Sequence, residues 1–425
     1  MSLARIAWRY LWSRPLITFA AVVSISLGVA LICTVLTLRR ETESSLKREA
    51  GLFDMVVGAK GSPLQLVLST VYHLDVPTGN IPVKRYQALK ADPRVAAAYA
   101  IGLGDNYKNF RIIGVEADYF NMRDPHNREP VLQLAEGALF KDAFDVVLGS
   151  AAAAQTDLKI GSTFAGTHGL VSVAGSSEHS DFPYRVVGIL KPSGTAQDRG
   201  IFAPLESIWR VHEAEDKEHA VIKGITKEEN AASGNAKGEG KTARDEITAV
   251  LIQLKVPVRL WFAAEIRNTT ESMPAIPVDE ILRLYQNVLT PVQRALLAVA
   301  ALVVVVSVLT VMTTLYQAAE RRRKDVAIIR TLGARPGEVF FLSVAEAMLL
   351  SLTGIVLGGL LGHGGLALAT GLLRESSGIA ITAWSMDEVE ITLLAVVFLC
   401  GSIAGLVPAL VSYRRSPVGD LHGAA

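Results

Sequence analysis

Cysteine is scarce: two thiols, Cys33 and Cys400, stand in 425 residues. Both sit inside apolar runs at different expected depths, which argues against a disulfide and leaves packing as their default role. Net charge is lacking too, at +1 from 42 basic and 41 acidic side chains. A chain so balanced, with its basic residues gathered at the ends of apolar runs, is not built around a nucleic-acid partner. Catalytic signatures are missing as well. No hydrolase elbow, zinc-protease HExxH or dinucleotide fingerprint occurs in a supporting context. Gly234 with Gly240, Lys241 and Thr242 comes near a phosphate loop, but five residues separate the two glycines where the motif needs four, and no apolar strand precedes them.

What is present is apolar length. Half of the residues are hydrophobic while a fifth are charged, the composition of a chain divided between lipid and water. Leu16 to Leu38 is an apolar run of about 20 residues, enough to cross ~30 Å of hydrocarbon. Before it, Leu3, Ile6, Ala7, Tyr10 and Leu11 share one helical face with Trp8 and Trp12 at headgroup level, which predicts an interfacial helix over 1–15. The apolar run is too long for a cleaved signal peptide, and bulky Ile32 before Cys33 argues against lipoprotein processing. Three more spans are expected, at 291–318, 339–371 and 389–412, with a loop at 372–388 and a basic tail at 413–425.

Residues 39–290 are soluble in character. Charged, helix-compatible spacing from Arg39 to Ala50 extends the first span as a stalk. A stripe of Ile281, Tyr285, Val288 and Val292 predicts a second stalk, kinked by Pro291. Between them, Phe110 to Val115, Asp145 to Leu148, Tyr184 to Leu190 and Thr248 to Leu254 read as strands in an α+β domain, expected to form a flank-built lobe and a middle-built lobe. The segment 223–246 has almost no large apolar residue after Ile225 and is expected to be a mobile loop. The predicted fold class is therefore a membrane protein with four transmembrane α-helices and a large α+β extracytoplasmic domain inserted between the first and second.

The segment 319–338 links the second and third spans. Its basic cluster, Arg321, Arg322, Arg323 and Lys324, belongs on the cytoplasmic side by the positive-inside bias, which places both termini there as well; Arg39 and Arg40 oppose that count. A short amphipathic piece with Val326, Ile328, Ile329 and Leu332 follows, an elbow suited to docking a cytoplasmic partner.

The run Glu320-Arg-Arg-Arg-Lys-Asp325, then Ile329-Arg-Thr-Leu-Gly-Ala334 and a downstream Glu346, resembles the coupling segment of FtsX/MacB-type ABC transporter permeases. The phrases FRIIGVEADYF, DVVLGSAAAAQTDLKIGSTF and YRVVGILKPSGTAQDRGIFAPLESIW resemble, in order and spacing, that family's periplasmic domain. The resemblance implies that Glu320, Arg321, Arg322, Arg323, Lys324, Asp325, Ile328, Arg330, Leu332, Gly333 and Ala334 touch a separate ATPase subunit present in two copies, which would bind ATP and Mg. It further implies a second permease chain in a homodimer, residence in the inner membrane, and a periplasmic accessory protein as a further partner. No cofactor is expected in this chain, which reads as a non-catalytic subunit.

Small residues recur at four-residue spacing: Ser24 and Gly28; Gly354, Gly358 and Gly362; Gly401 and Gly405. They predict helix packing faces, within one protomer or across a dimer. Glu346 is read as the one acidic residue well inside a span, with a structural or coupling role. No span carries a polar face, so motion relayed through the stalks fits better than conduction. Export or extraction of an amphipathic cargo such as a lipoprotein or peptide is the leading expectation. Signalling to a cell-wall hydrolase is the alternative, and handling of metal or a metal-binding periplasmic protein a third. For that third reading His168, His179, His212 and His219 are the candidate ligands, with Glu178 and Glu213 nearby, although their spacing forms no compact site.

Overall fold

The computed structural model describes residues 15–167, 182–222, 246–255, 258–268, 272–321, 326, 335–377 and 382–414. Along the chain they form α1 (Pro15–Ala50), β1 (Met55–Gly58), α2 (Pro63–Thr70), β2 (Ile81–Pro82), α3 (Val83–Lys90), β3 (Val95–Tyr107), β4 (Phe110–Val115), β5 (Leu134–Gly137), β6 (Asp145–Leu148), α4 (Ser150–Thr156), β7 (Thr163–Phe164) and β8 (Tyr184–Leu190). There follow β9 (Ile201–Pro204), α5 (Leu205–Ile222), β10 (Glu246–Ile247), β11 (Ala249–Leu254), α6 (Arg259–Arg267), β12 (Met273–Ala275), α7 (Pro277–Leu284), α8 (Thr290–Arg321), α9 (Pro336–Ser377), α10 (Glu388–Ala404) and α11 (Leu406–Arg414). These elements divide into two compact units, with boundaries inside α1 between Thr42 and Glu43 and again between Gln286 and Asn287. The interfacial helix expected before Pro15 and nearly all of the loop expected at 223–246 lie outside the described residues; Glu246 itself opens β10.

The sheet domain is built on ten strands in the order β12-β1-β11-β3-β4-β9-β6-β8-β5, with β7 added beside β8. Its pairs are antiparallel except β4 with β9 and β6 with β8. The flank strands β12, β1 and β11 occupy one edge, and the middle strands β6, β8 and β5 occupy the other. The two lobes expected from the sequence are thus corrected to two halves of one sheet. Buried β4 pairs with buried β9 from Ile112↔Ile201 to Val115↔Pro204, so one continuous ladder joins the two halves.

Side-chain alternation divides the core between the two faces. On β1, Val56 joins an aromatic cluster with Phe53, Tyr99, Tyr119, Phe120 and Phe202, while Met55 and Val57 face Tyr86 of α3 and Phe262 of α6. Tyr119 is fully buried, its ring edge-on to Tyr99 at 5.7 Å. Such aromatic pairs add about 1 kcal/mol beyond area burial. The β3–β4 hairpin turns through Lys108 and Asn109, both with positive φ (48° and 69°), the backbone of a two-residue type I′ turn.

The second unit is helical. Among the described residues, four stretches are long and apolar enough to cross a membrane: Thr18–Ala50, Pro277–Arg321, Gly337–Thr370 and Glu388–Val411. A π-helical turn, Tyr285–Leu289, joins α7 to α8 just before Pro291, whose missing N–H removes a bond that a regular α-helix would make there. The predicted four-membered stripe is broken there. Ile281 and Tyr285 are buried, whereas Val288 and Val292 are exposed. A π turn takes more residues than an α turn and so rotates every later side chain around the axis. The last apolar run divides into α10 and α11 at Gly405; Pro408 lacks the N–H that a continuous helix would use there.

Candidate functional site

In the sheet domain, both connecting helices end in one place. At the end of α1, Leu46 and Ala50 pack in the aromatic cluster, and from α7 Ile281 and Leu284 pack in the same cluster. Tyr72 Oη donates to the Leu46 carbonyl (2.7 Å), which anchors the last turns of α1. Buried Glu49 accepts from the Ala196 backbone N–H (2.7 Å). Ala196 belongs to the turn 193–199, where Asp198 accepts from Ser193 N (2.8 Å), Ser193 Oγ (2.8 Å) and Gly194 N (2.9 Å). Its neighbour Gln197 is fully buried and accepts from Tyr119 Oη (2.8 Å), with His73 Nε2 at 3.3 Å. The phrase that carried the family resemblance, KPSGTAQDRG, is thus the turn against which α1 ends.

In the helical unit, the small residues selected from the sequence lie along contacts within this chain. A Cβ on Gly354 would stand 2.6 Å from Ile25 Cγ2, on Gly358 2.6 Å from Val29 Cβ, and on Gly362 2.9 Å from Cys33 Cβ. These three glycines let α9 approach α1 closely. Ser26 Oγ donates to the Gly354 carbonyl (3.1 Å), and Ser24 Oγ lies 2.8 Å from Ser307 Oγ of α8. Gly28 faces Val304, Gly401 faces Ser351 and Gly405 faces Ala347. Glu346 is buried in α9.

Of the elbow residues, Glu320 and Arg321 end α8. Arg322, Arg323, Lys324, Asp325, Ile328, Arg330, Leu332, Gly333 and Ala334 lie outside the described residues, as do His168 and His179. His212 is half-buried on α5; His219 lies further along that helix, its side chain outside the described set.

One cluster escaped the sequence reading. Cys33 of α1, His363 of α9 and Glu390 of α10 are all buried, and their ligand-type atoms lie within 4.8 Å of one another. His363 Nδ1 is 2.6 Å from the Ala383 carbonyl, and Nε2 is 2.7 Å from Glu390 Oε1. Glu390, 1% exposed, is a second buried acid of the helical unit, placed in the first turn of α10, whereas Glu346 lies inside α9. Part of the signal was available: His363 interrupts the apolar helix α9, where ionisable groups are costly and functional by default.

Comparison with known families sets the chain among ABC transporter permeases. The MacB-like periplasmic core domain matches residues 18–247, more than half of the chain, and the FtsX-like permease C-terminal region matches residues 297–417. The chain belongs to this MacB/FtsX-type permease family. An uncharacterized ABC transporter permease of Methanocaldococcus jannaschii is 24% identical over 244 residues, covering 57% of this chain and 56% of that protein. The pyoverdine export ATP-binding/permease protein PvdT of Pseudomonas syringae pv. tomato is 25% identical over 424 residues, covering 98% of this chain and 58% of that protein. The chain thus spans little more than half the length of these relatives. Among solved structures, the periplasmic region of MacB from Actinobacillus actinomycetemcomitans matches with a TM-score of 0.33 at 11% identity, covering 56% of this chain and 95% of that one. The extracellular domain of the transporter YknZ from Gram-positive bacteria matches with a TM-score of 0.28 at 11% identity, covering 52% and 98%. The family assignment rests on the sequence matches and not on these two.

Proposed function

We propose that this permease works by relaying motion: a cytoplasmic ATPase pair closes, the segment after Arg321 is displaced, and the displacement reaches the sheet domain through α1 and the α7–α8 helix. The observation that carries this reading is that both connecting helices end in a single aromatic core, with the end of α1 further tied by Glu49 to the turn 193–199. A displacement of either helix end must then repack that core, because a close-packed interior does not deform smoothly. Two such chains and two ATPase subunits form the working unit in this reading. The cargo is an amphipathic molecule, lipid-linked or peptidic, collected outside the cytoplasm and expelled by the moving domain. A relative named for pyoverdine export favours export over signalling to a hydrolase.

The test is charge reversal at the elbow. Arg322→Glu with Arg323→Glu should abolish co-purification of the ATPase partner while membrane insertion is kept. Undiminished co-purification would remove the elbow from the mechanism.

A further inference from the structure

We propose that Cys33, His363 and Glu390 form a binding site for a divalent transition metal of the zinc class, joining α1, α9 and α10. The proposal stands apart from the relay reading and does not depend on it.

The geometry begins with the histidine. A backbone carbonyl can only accept, so Nδ1, 2.6 Å from the Ala383 oxygen, carries the ring proton. That leaves Nε2 aimed at Glu390 Oε1 at 2.7 Å. An imidazole lone pair and a carboxylate oxygen repel each other at this distance unless a positive charge stands between or beside them. A proton satisfies two partners; a metal ion satisfies three. The third partner is present as the Cys33 sulfur, 0% exposed and within 4.8 Å of both.

The donor set has the right chemistry. Thiolate, imidazole and carboxylate together select a borderline-soft ion, with metal–ligand lengths of about 2.0 to 2.3 Å that set neighbouring ligand atoms roughly 3.3 to 3.6 Å apart. Small side-chain adjustments would bring the three atoms to that spacing. A donor from Nδ1 to a backbone carbonyl is also the usual outer support for a metal-bound histidine, since it fixes the tautomer and the ring orientation.

The surroundings hold the three groups in place. The Trp384 ring is stacked on His363 with centroids 6.0 Å apart at 23°. Glu41 of α1 accepts from the Thr382 N–H (3.0 Å), tying down the segment that supplies Ala383 and Trp384. Gly362 brings α9 against Cys33 itself, so the small-residue seam sets the distance between the thiol and its neighbours. Three protein ligands leave a coordination position for water. Binding displaces the Cys33 thiol proton and the proton shared by His363 and Glu390 to solvent.

The test uses the full chain in detergent micelles, purified without a histidine tag, stripped with chelator and titrated with Co²⁺ as a spectroscopic probe. A thiolate-to-cobalt absorption band should appear, saturate at one equivalent per chain and vanish when Zn²⁺ is added. Cys33→Ser should abolish the band, and His363→Ala or Glu390→Gln should weaken binding at least tenfold. Cys400→Ser should leave it unchanged. Because the chain has only these two thiols, metal held by histidines elsewhere gives no such band. Should a variant fail to fold, the wild-type chain still decides the matter, since Zn²⁺ should slow maleimide alkylation of Cys33 at least tenfold without protecting Cys400. Absence of the band, its survival in Cys33→Ser, or alkylation of Cys33 indifferent to Zn²⁺ would overturn the site.

Discussion

In the sheet domain buried polar groups are spread out, and several are met by partners of their own, local for Asp198 with Ser193 and Gly194, distant in sequence for Thr167 with Asn106 and Gln197 with Tyr119. In the helical unit the hydroxyls of Ser307, Ser351 and Ser402 donate to the carbonyl four residues back, and side-chain functional groups gather at one point, around His363. The difference follows from the solvent each unit is built for. A domain in water can leave polar groups near loops, whereas apolar helices admit an ionisable group only where other side chains answer it. Satisfied turns therefore shape the first unit, and close backbone approach shapes the second.

The largest effect expected from this contrast lies at Asp198. Replacing it by alanine removes the acceptor of two backbone N–H groups and one hydroxyl in a turn packed against the end of α1. The loss should be about 3 kcal/mol, the range for hydrogen bonds to a charged acceptor. It is read as a lowered denaturant midpoint for the sheet domain. An unchanged midpoint would mean that the turn is not what holds this region together.

In the helical unit the corresponding lever is space. Gly358→Leu drives a side chain into Val29 and the Ser26 carbonyl, the latter 2.7 Å from the position a Cβ would take. Overpacking of this kind costs about 2 kcal/mol. Gly364→Ala provides the contrast, because among the described residues no atom beyond its own helical turn lies within 4 Å of its would-be Cβ. Its melting temperature should stay close to that of the parent while Gly358→Leu falls clearly below. A large loss at Gly364 would identify that face as covered by a second chain.

How far the sequence carried depended on side-chain size. Strands β4, β6 and β8 were legible to the residue because Ile112, Ile113, Val146, Val147, Val186 and Val187 make branched aliphatic runs with turn residues on either side. Strand β3 was not, since nearly half of Val95–Tyr107 is alanine and glycine and it leads into a turn of Lys108 and Asn109 instead of a glycine pair. The glycine seam was legible from its four-residue spacing, although spacing alone could not choose between contacts inside the chain and contacts across a dimer. The Cys33–His363–Glu390 cluster was not legible as a set. Each helix contributes a single residue, so there is no spacing to read, and the three meet only after α1, α9 and α10 pack.

The smallest effect is a pH dependence confined to the sheet domain. Burial pushes the His73 imidazole down from its ordinary value near 6.5 to about 4, and the nearby Arg111 charge adds to this, partly offset by the hydrogen bond with Gln197. A depressed folded value means that the unfolded chain binds the proton first as pH falls. Stability from neutral His73 is therefore fully present above about 6.5 and is lost progressively as pH falls through about 4. Because His73 has a φ of 57°, asparagine is the suitable replacement, being non-titrating and tolerant of the left-handed region. In the His73→Asn variant the denaturant midpoint should fall less steeply between pH 6.5 and 4 than in the parent. Parallel curves would mean that His73 takes up no proton differently in the folded and unfolded chains. The acid sensitivity of the domain would then be traced to its carboxylates, beginning with Asp145 and its bond to Arg185.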